Sequence, residues 1–227
     1  EPLRLAGVDT RFLIHGEQPT GHAIIQVDRN GQNCILLYPG ANRAVTREEI
    51  RNVLDQQSHG SWLLLQNEIN EIPFLMREAK ARGLLIAINP APCGPEAADY
   101  PLELADVLFV NEIEAAQLSG SEGSPDAVLD ILTARYPESE IVMTLGGDGA
   151  CYAKGADRFH VPSPDVKVVD TTSAGDTFSG YYLAAKLRGF SPERTMELAA
   201  LAGSIAVSRA GAAVSIPSAE EVFGNAQ

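Results

Sequence analysis

The stretch Val169–Gly180, VDTTSAGDTFSG, holds the residues best suited to chemistry. Ser173, Ala174 and Gly175 are small residues at an expected loop-to-helix junction, and Asp176 follows at once. A helix start offers unpaired N–H groups and the positive end of a dipole. Small side chains, glycine above all, let a phosphate approach that backbone. A carboxylate beside the same anion site can take a proton from an attacking hydroxyl. Positioning, charge stabilisation and a base for the nucleophile are what phosphoryl transfer needs. The same residues also read as plain structure, with Thr172 or Ser173 as an N-cap and Asp176 as an acid complementing the dipole.

Other polar groups fall at expected strand ends. They are Gln66-Asn67-Glu68, Asn89-Pro90-Ala91-Pro92, Asn111-Glu112-Ile113-Glu114 and Gly146-Gly147-Asp148-Gly149. In open parallel sheets that edge is where ligands sit. Each also has a bland reading. Asn111 to Glu114 is a plausible capping box. Gly146–Gly149 reads as a turn and is neither a Walker A loop nor a dinucleotide fingerprint. Asn89-Pro90 also reads as a plain strand stop, and Thr171 and Thr172 as strand-end residues.

The elements that position these residues follow from patterning. His22–Asp28 and Asn33–Tyr38 flank Arg29-Asn30-Gly31-Gln32, a hairpin signal. Thr46 and Glu49 form a capping box before Ile50, Val53 and Leu54 at helical spacing. Trp62–Leu65 reads as a buried parallel strand. A helix over about Ile69–Arg82 should end at Gly83. Leu84–Ile88, Val107–Val110 and Ile141–Leu145 are the next strands, and Ser124-Pro125-Asp126 starts a helix between the last two. Ala150–Ala153 and Phe159–Val161 read as a short antiparallel pair. Long helices are expected near Ala174–Gly175 and from Ser191-Pro192-Glu193, and Ser218 with Glu221 forms a last capping box. Strand and helix alternate from 46 to 150, which implies an α/β fold with a parallel sheet.

The chain has 227 residues, 45% of them apolar and 21% charged, with a net charge of −13. This is the composition of a soluble globular domain. The acidic balance argues against a general nucleic-acid binder. No apolar run approaches the roughly 20 residues of a membrane span, and no signal peptide opens the chain. The three cysteines, Cys34, Cys93 and Cys151, have no metal or disulfide spacing, so a reducing, cytoplasmic setting is expected. His15, His22, His59 and His160 are scattered and read as surface or hydrogen-bonded residues.

Asp170-Thr171-Thr172-Ser173-Ala174-Gly175-Asp176-Thr177-Phe178 resembles the D-T-x-x-A-G-D-x-F signature of the PfkB, or ribokinase-like, carbohydrate kinases. Five further segments resemble family landmarks in the same order. They are Pro39–Asn42 near the lid, Asn89–Pro92 (N-P-A-P), Asn111–Ala115 (N-x-x-E), Thr144–Gly149 (T-L-G-x-x-G) and Ala206–Arg209 with Gly211 and Ser215. The resemblance spans essentially the whole chain. It implies a three-layer αβα sandwich with a mostly parallel sheet and part of a small β-sheet lid. Residues 1–45 would be the remainder of the lid and its connections, and 46–227 the nucleotide-binding domain.

The implied activity is transfer of a phosphoryl group from ATP to a sugar. The N-P-A-P segment and the A-V-x-R-x-G-A ending are most similar to members that phosphorylate ribose. Fructose, a keto-deoxy sugar acid or a nucleoside are alternative acceptors. By resemblance, Asp176 is the base and the N–H groups of Ser173, Ala174 and Gly175 form the anion hole. Asp170 and Thr172, with Ala206, Arg209, Gly211 and Ser215, would hold K⁺, Arg209 through its main-chain carbonyl. Thr144, Leu145, Gly146, Gly147, Asp148 and Gly149 would pass under the ATP phosphates and ribose. Asn111 and Glu114 would act near Mg²⁺, Glu114 through water, and Glu68 would contact the sugar. A homodimer through the lid is implied.

The family's opening strand, with its sugar-binding Asp or Asn, and its G-G-x-x-x-N signature have no counterpart here. Residues 1–21 resemble the segment just before the second pair of lid strands. A fragment of a longer folded protein is therefore expected, the alternatives being a separate missing segment or a truncated chain that binds nucleotide without turnover.

Overall fold

A computed structural model describes residues 2–27, 33–94, 97 and 99–224. A short helix α1 (Pro2–Leu5) precedes β1 (His22–Val27) and β2 (Asn33–Tyr38), which pair antiparallel with His22 opposite Tyr38. The expected Asn30-Gly31 turn lies outside the described residues. Then follow α2 (Arg47–Leu54), β3 (Trp62–Gln66), α3 (Ile72–Ala81), β4 (Leu85–Asn89), β5 (Val107–Asn111), α4 (Glu112–Ser119) and α5 (Pro125–Arg135). The chain continues through β6 (Glu140–Thr144), β7 (Ala150–Lys154), β8 (Asp157–Val161), α6 (Ala174–Leu187), α7 (Pro192–Val207) and α8 (Ala219–Phe223).

The six strands from β3 to β8 form one sheet in sequential order. β3 to β6 run parallel, and β7 and β8 turn back antiparallel. Alternate residues of a strand face opposite ways. Ile86, Ile88, Leu108, Val110, Ile141 and Met143 accordingly pack with α2 to α5. Ala87, Val107, Phe109 and Val142 face the other way, against Phe178 and Tyr182 of α6 and Met196 and Ala199 of α7. The central strands are apolar on both faces because helices cover both, which makes three layers.

Local chemistry sets the helix ends. Both arms of the capping boxes form at Thr46–Glu49, Asn111–Glu114 and Ser218–Glu221. Ser124 and Ser191 each cap a helix that has proline in its first turn. Two expectations need correction. The helix expected from Ile69 starts at Ile72, after Glu71 in the left-handed region at φ 61°. Trp62–Leu65 is a parallel strand that is buried only in part: among the described residues it pairs with β4 alone, Leu65 is buried and Leu64 is 47% exposed.

Candidate active site

Parallel pairing brings the strand ends level. Gln66 registers with Asn89 and Asn111 with Thr144 at the carboxyl edge of the sheet. Helix α6 begins over this edge. Gln66 Nε2 donates to Asp176 Oδ1 at 2.6 Å and ties the end of β3 to the first turn of α6.

The start of α6 stands between two cavities. One, of about 430 Å³, is lined by Gln66, Glu68, Asn89, Asp176 and Ser179. The other, of about 240 Å³, has Thr144, Gly146, Gly147 and Gly149 on one side, and Ala174, Gly175, Gly203 and Ser204 on the other. Asp176 thus faces the first and Gly175 the second. A Cβ built on Gly175 would meet nothing within 4 Å, so the space before this first-turn backbone is open.

Ser173, the residue before α6, sits in the left-handed region at φ 58° and makes no side-chain capping bond. Its Oγ is buried and has no hydrogen-bond partner among the described residues. A non-glycine residue held there costs about 1 kcal/mol or more, so Ser173 is not an ordinary N-cap. Ala174 N–H already donates to Thr171 O at 3.3 Å, a long bond. The N–H groups of Gly175 and Asp176 are first-turn donors without an intrahelical acceptor.

Asp170 gathers the loop before α6 and the loop after α7. Its Oδ1 accepts from the Thr172 N–H at 2.9 Å and the Thr172 hydroxyl at 2.6 Å, and its Oδ2 accepts from the Gly211 N–H at 2.9 Å. The Thr172 hydroxyl, then the two N–H groups, hold its carboxyl below the usual aspartate range. Asp170 N–H donates to Val207 O at 3.2 Å, which places it beside the end of α7. Ala206 O accepts the Arg209 N–H at 3.1 Å. The Arg209 guanidinium is paired with Glu221 and holds that carboxyl down at about 2. Ser215 is buried, and its hydroxyl donates to Ala212 O at 2.7 Å. The structure therefore joins Asp170, Thr172 and Gly211 by direct bonds, while Ser215 is held within its own loop.

Asn111 and Glu114 satisfy one another. Glu114 Oε2 accepts the Asn111 N–H at 2.9 Å and its Oε1 accepts from Asn111 Nδ2 at 2.8 Å. Burial pushes the Glu114 carboxyl up, and the Asn111 bonds partly oppose that. The capping reading is realised, and neither residue lines the two cavities. Gly146–Asp148 is a 3₁₀ turn between β6 and β7, closed by Leu145 N–H to Gly149 O at 2.8 Å. His160 lies 2.7 Å from Asp148 O through Nε2 and pins the turn from β8.

Some groups at this edge escape sequence reasoning. Gln66 could be flagged as a polar strand end, but not matched with Asp176 across 110 residues. Asn67 is buried; its Nδ2 donates to Pro92 O at 2.6 Å, its N–H to Ala91 O at 3.1 Å, and it accepts from the Tyr100 hydroxyl. Nothing in its local spacing announces that role. Gly203 and Ser204 line the second cavity from an apolar stretch in the last turns of α7, which hides them.

An α/β sandwich with a helix start, a carboxylate and a glycine turn around paired cavities is the frame of a phosphotransferase. The profile of the pfkB family carbohydrate kinases matches residues 1–219. The ribokinase of Staphylococcus aureus (strain COL) is 32% identical over 231 residues, 98% of this chain and 75% of that protein. The crystal structure of Thermotoga maritima ribokinase is 34% identical at a TM-score of 0.77, covering 93% of this chain and 71% of that one. Arabidopsis thaliana ribokinase complexed with ribose and ATP is 26% identical at a TM-score of 0.77, covering 92% and 69%. The chain belongs to the PfkB family of carbohydrate kinases. It is a phosphotransferase that acts on a sugar.

Proposed function

We propose that this chain belongs to a ribokinase, which converts ATP and D-ribose to ADP and ribose 5-phosphate. The carrying observation is the placement of Asp176 and Gly175 on opposite sides of one helix start, each facing its own cavity. In this reading the sugar occupies the cavity that Glu68 and Asp176 share, with Glu68 holding a sugar hydroxyl. ATP lies along Thr144–Gly149 with its terminal phosphate at the start of α6.

Asp176 takes the proton of the 5-hydroxyl, whose oxygen forms a bond to the γ-phosphorus. The bond from that phosphorus to the bridging oxygen breaks and ADP leaves. The N–H groups of Ser173, Ala174 and Gly175 donate to the phosphoryl oxygens as charge spreads over them. Gly175 and Ser173 carry most of this, since Ala174 N–H is shared with Thr171.

Two cations belong to the proposal. A carboxylate with main-chain carbonyls is a donor set of hard oxygens, which suits K⁺. Asp170 and Thr172, with the carbonyls of Ala206, Arg209 and Gly211 and the Ser215 loop, would hold it beside the anion hole. Both oxygens of Glu114 are engaged by Asn111, so this pair would meet Mg²⁺ through water. Mg²⁺ retains waters and is commonly held by substrate phosphates with one or two carboxylates, which fits a single acidic residue. Bound there, the cations would offset phosphate charge. Residues 1–45 as lid remainder, 46–227 as nucleotide domain, a lid-mediated homodimer and a cytoplasmic setting complete the reading.

The test is ADP release by the full-length protein with ATP, Mg²⁺, K⁺ and a panel of D-ribose, fructose, a keto-deoxy sugar acid and a nucleoside. Ribose should give the highest kcat/KM, and Asp176→Asn should abolish turnover while sparing ATP binding. A different preferred acceptor overturns the ribokinase assignment. An active Asp176→Asn overturns the assigned base.

A further inference from the structure

The edge strand β3 ends on Gln66, whose amide donates to Asp176 Oδ1. Among the described residues this is the one hydrogen bond that the Asp176 carboxylate accepts. The terminal torsion of an aspartate is broad, and an acid in a first helical turn is drawn back to the N–H groups of its own helix. Either motion would turn the carboxylate away from an acceptor in the neighbouring cavity. An amide donor at 2.6 Å opposes both. It also adds no charge. A lysine here would pair with the base, and a glutamate would repel it.

The backbone behind Gln66 is itself held. Gln66 registers with Asn89 of β4, and Asn67 is locked to Ala91 and Pro92. Glu68 is the other acidic group lining the cavity, and among the described residues no lysine or arginine lines it. Asn89 and Ser179 also line the cavity, but among the described residues the Gln66 amide is the group that bonds the Asp176 carboxylate there.

We infer that Gln66 is a positioning residue that holds the Asp176 carboxylate by Oδ1 and leaves Oδ2 for the proton of the acceptor hydroxyl. This rests on the reading of Asp176 as the base.

The experiment compares Gln66→Met, Gln66→Glu and Asp176→Asn in the full-length protein, with kcat and KM measured separately across pH. Gln66→Met should lower kcat about tenfold with the KM for ATP and the thermal midpoint unchanged. Gln66→Glu should work best at acid pH, where the shared proton lets the new carboxyl donate to Asp176. Its turnover should fall as that proton is lost on raising the pH. A loss of fold alone would not produce that acid-shifted profile. Natural kcat in Gln66→Met, or the natural pH profile in Gln66→Glu, overturns the inference and leaves the base assignment standing. Full turnover by Asp176→Asn overturns the base assignment itself, and this inference with it.

Discussion

The Gly211 N–H donates to Asp170 Oδ2 at 2.9 Å, so one carboxylate bridges the loop entering α6 and the loop leaving α7. Thr172 saturates the other oxygen. These bonds hold the Asp170 carboxyl below its usual range. A depressed carboxylate contributes stability above its unfolded value, near pH 4, and loses it as pH falls through the lower folded value. The bridge should therefore be intact at neutral pH and open only in strong acid. Asp170→Ala should free the Thr172 and Gly211 amides to exchange faster. It should also lower turnover about 10–100-fold and abolish its dependence on K⁺. Amide exchange and a K⁺ titration of ADP release check both; unchanged K⁺ dependence would remove Asp170 from the proposed cation cage.

Gly149 and Gly175 both line the second cavity, yet for opposite reasons. Gly149 has φ 97°, and a Cβ there would stand 2.1 Å from Val161 O. Gly149→Ala should destabilise by about 3 kcal/mol from strain and collision together. Gly175 has helical φ and open space before it. Gly175→Ala should leave stability unchanged or raise it by about 0.5 kcal/mol, because alanine suits a helix better. It should nonetheless cut turnover at least tenfold by filling the phosphate's approach. Urea unfolding beside ADP release separates the two glycines.

Much of this was legible in the sequence because local rules coincide with global ones. Thr46, Asn111, Ser124, Ser191 and Ser218 mark helix starts by their own hydrogen bonds, and each start falls where expected. The apolar runs of β4, β5 and β6 announce a sheet covered on both faces. The exposure of Leu64 was not legible, since among the described residues β3 has one strand neighbour and no local pattern encodes what packs on its other side. Ser173 was misleading in its own way. Serine before a helix normally accepts a capping bond, but with the left-handed backbone its hydroxyl is buried and has no partner among the described residues. The bond from Gln66 to Asp176 was invisible because it depends on the separation of two elements in space, which no periodicity encodes.

Glu140 opens β6 at the end of the sheet opposite the site, and it is nearly buried. It accepts the Tyr182 hydroxyl at 2.8 Å and the Lys186 ammonium at 2.8 Å on both oxygens. Burial pushes its carboxyl up, but the bonds from Lys186 and Tyr182 and the charges of Lys186 and Lys154 outweigh that, so it ends below the usual range. This anchors the C-terminal half of α6 to the sheet. Tyr182→Phe should cost about 1 kcal/mol, and Glu140→Ala about 3 kcal/mol by stranding both partners. For the natural protein this contribution is present above the unfolded value, near pH 4.5, and lost as pH falls through the folded one. Urea unfolding at pH 7 and pH 3 should show the difference between Glu140→Ala and the natural protein shrinking in acid.

Glu114 allows the capping and metal readings to be separated. A glutamine there keeps an acceptor for the Asn111 N–H, as a capping box permits, and removes the charge. Burial raises the natural Glu114 carboxyl, so its ionised form is disfavoured in the fold. Such a group favours folding most at pH values below its unfolded range, and that advantage is lost as pH rises through the folded value. Glu114→Gln should therefore match or exceed the natural protein's stability at pH 7, apart from about 0.5 kcal/mol for the bond from Asn111 Nδ2. If the charge also acts on Mg²⁺ through water, the Mg²⁺ concentration for half-maximal turnover should rise about tenfold. Thermal unfolding and a Mg²⁺ titration of ADP release measure the two effects on one variant. An unchanged midpoint with unchanged stability would leave Glu114 as a helix cap and nothing more.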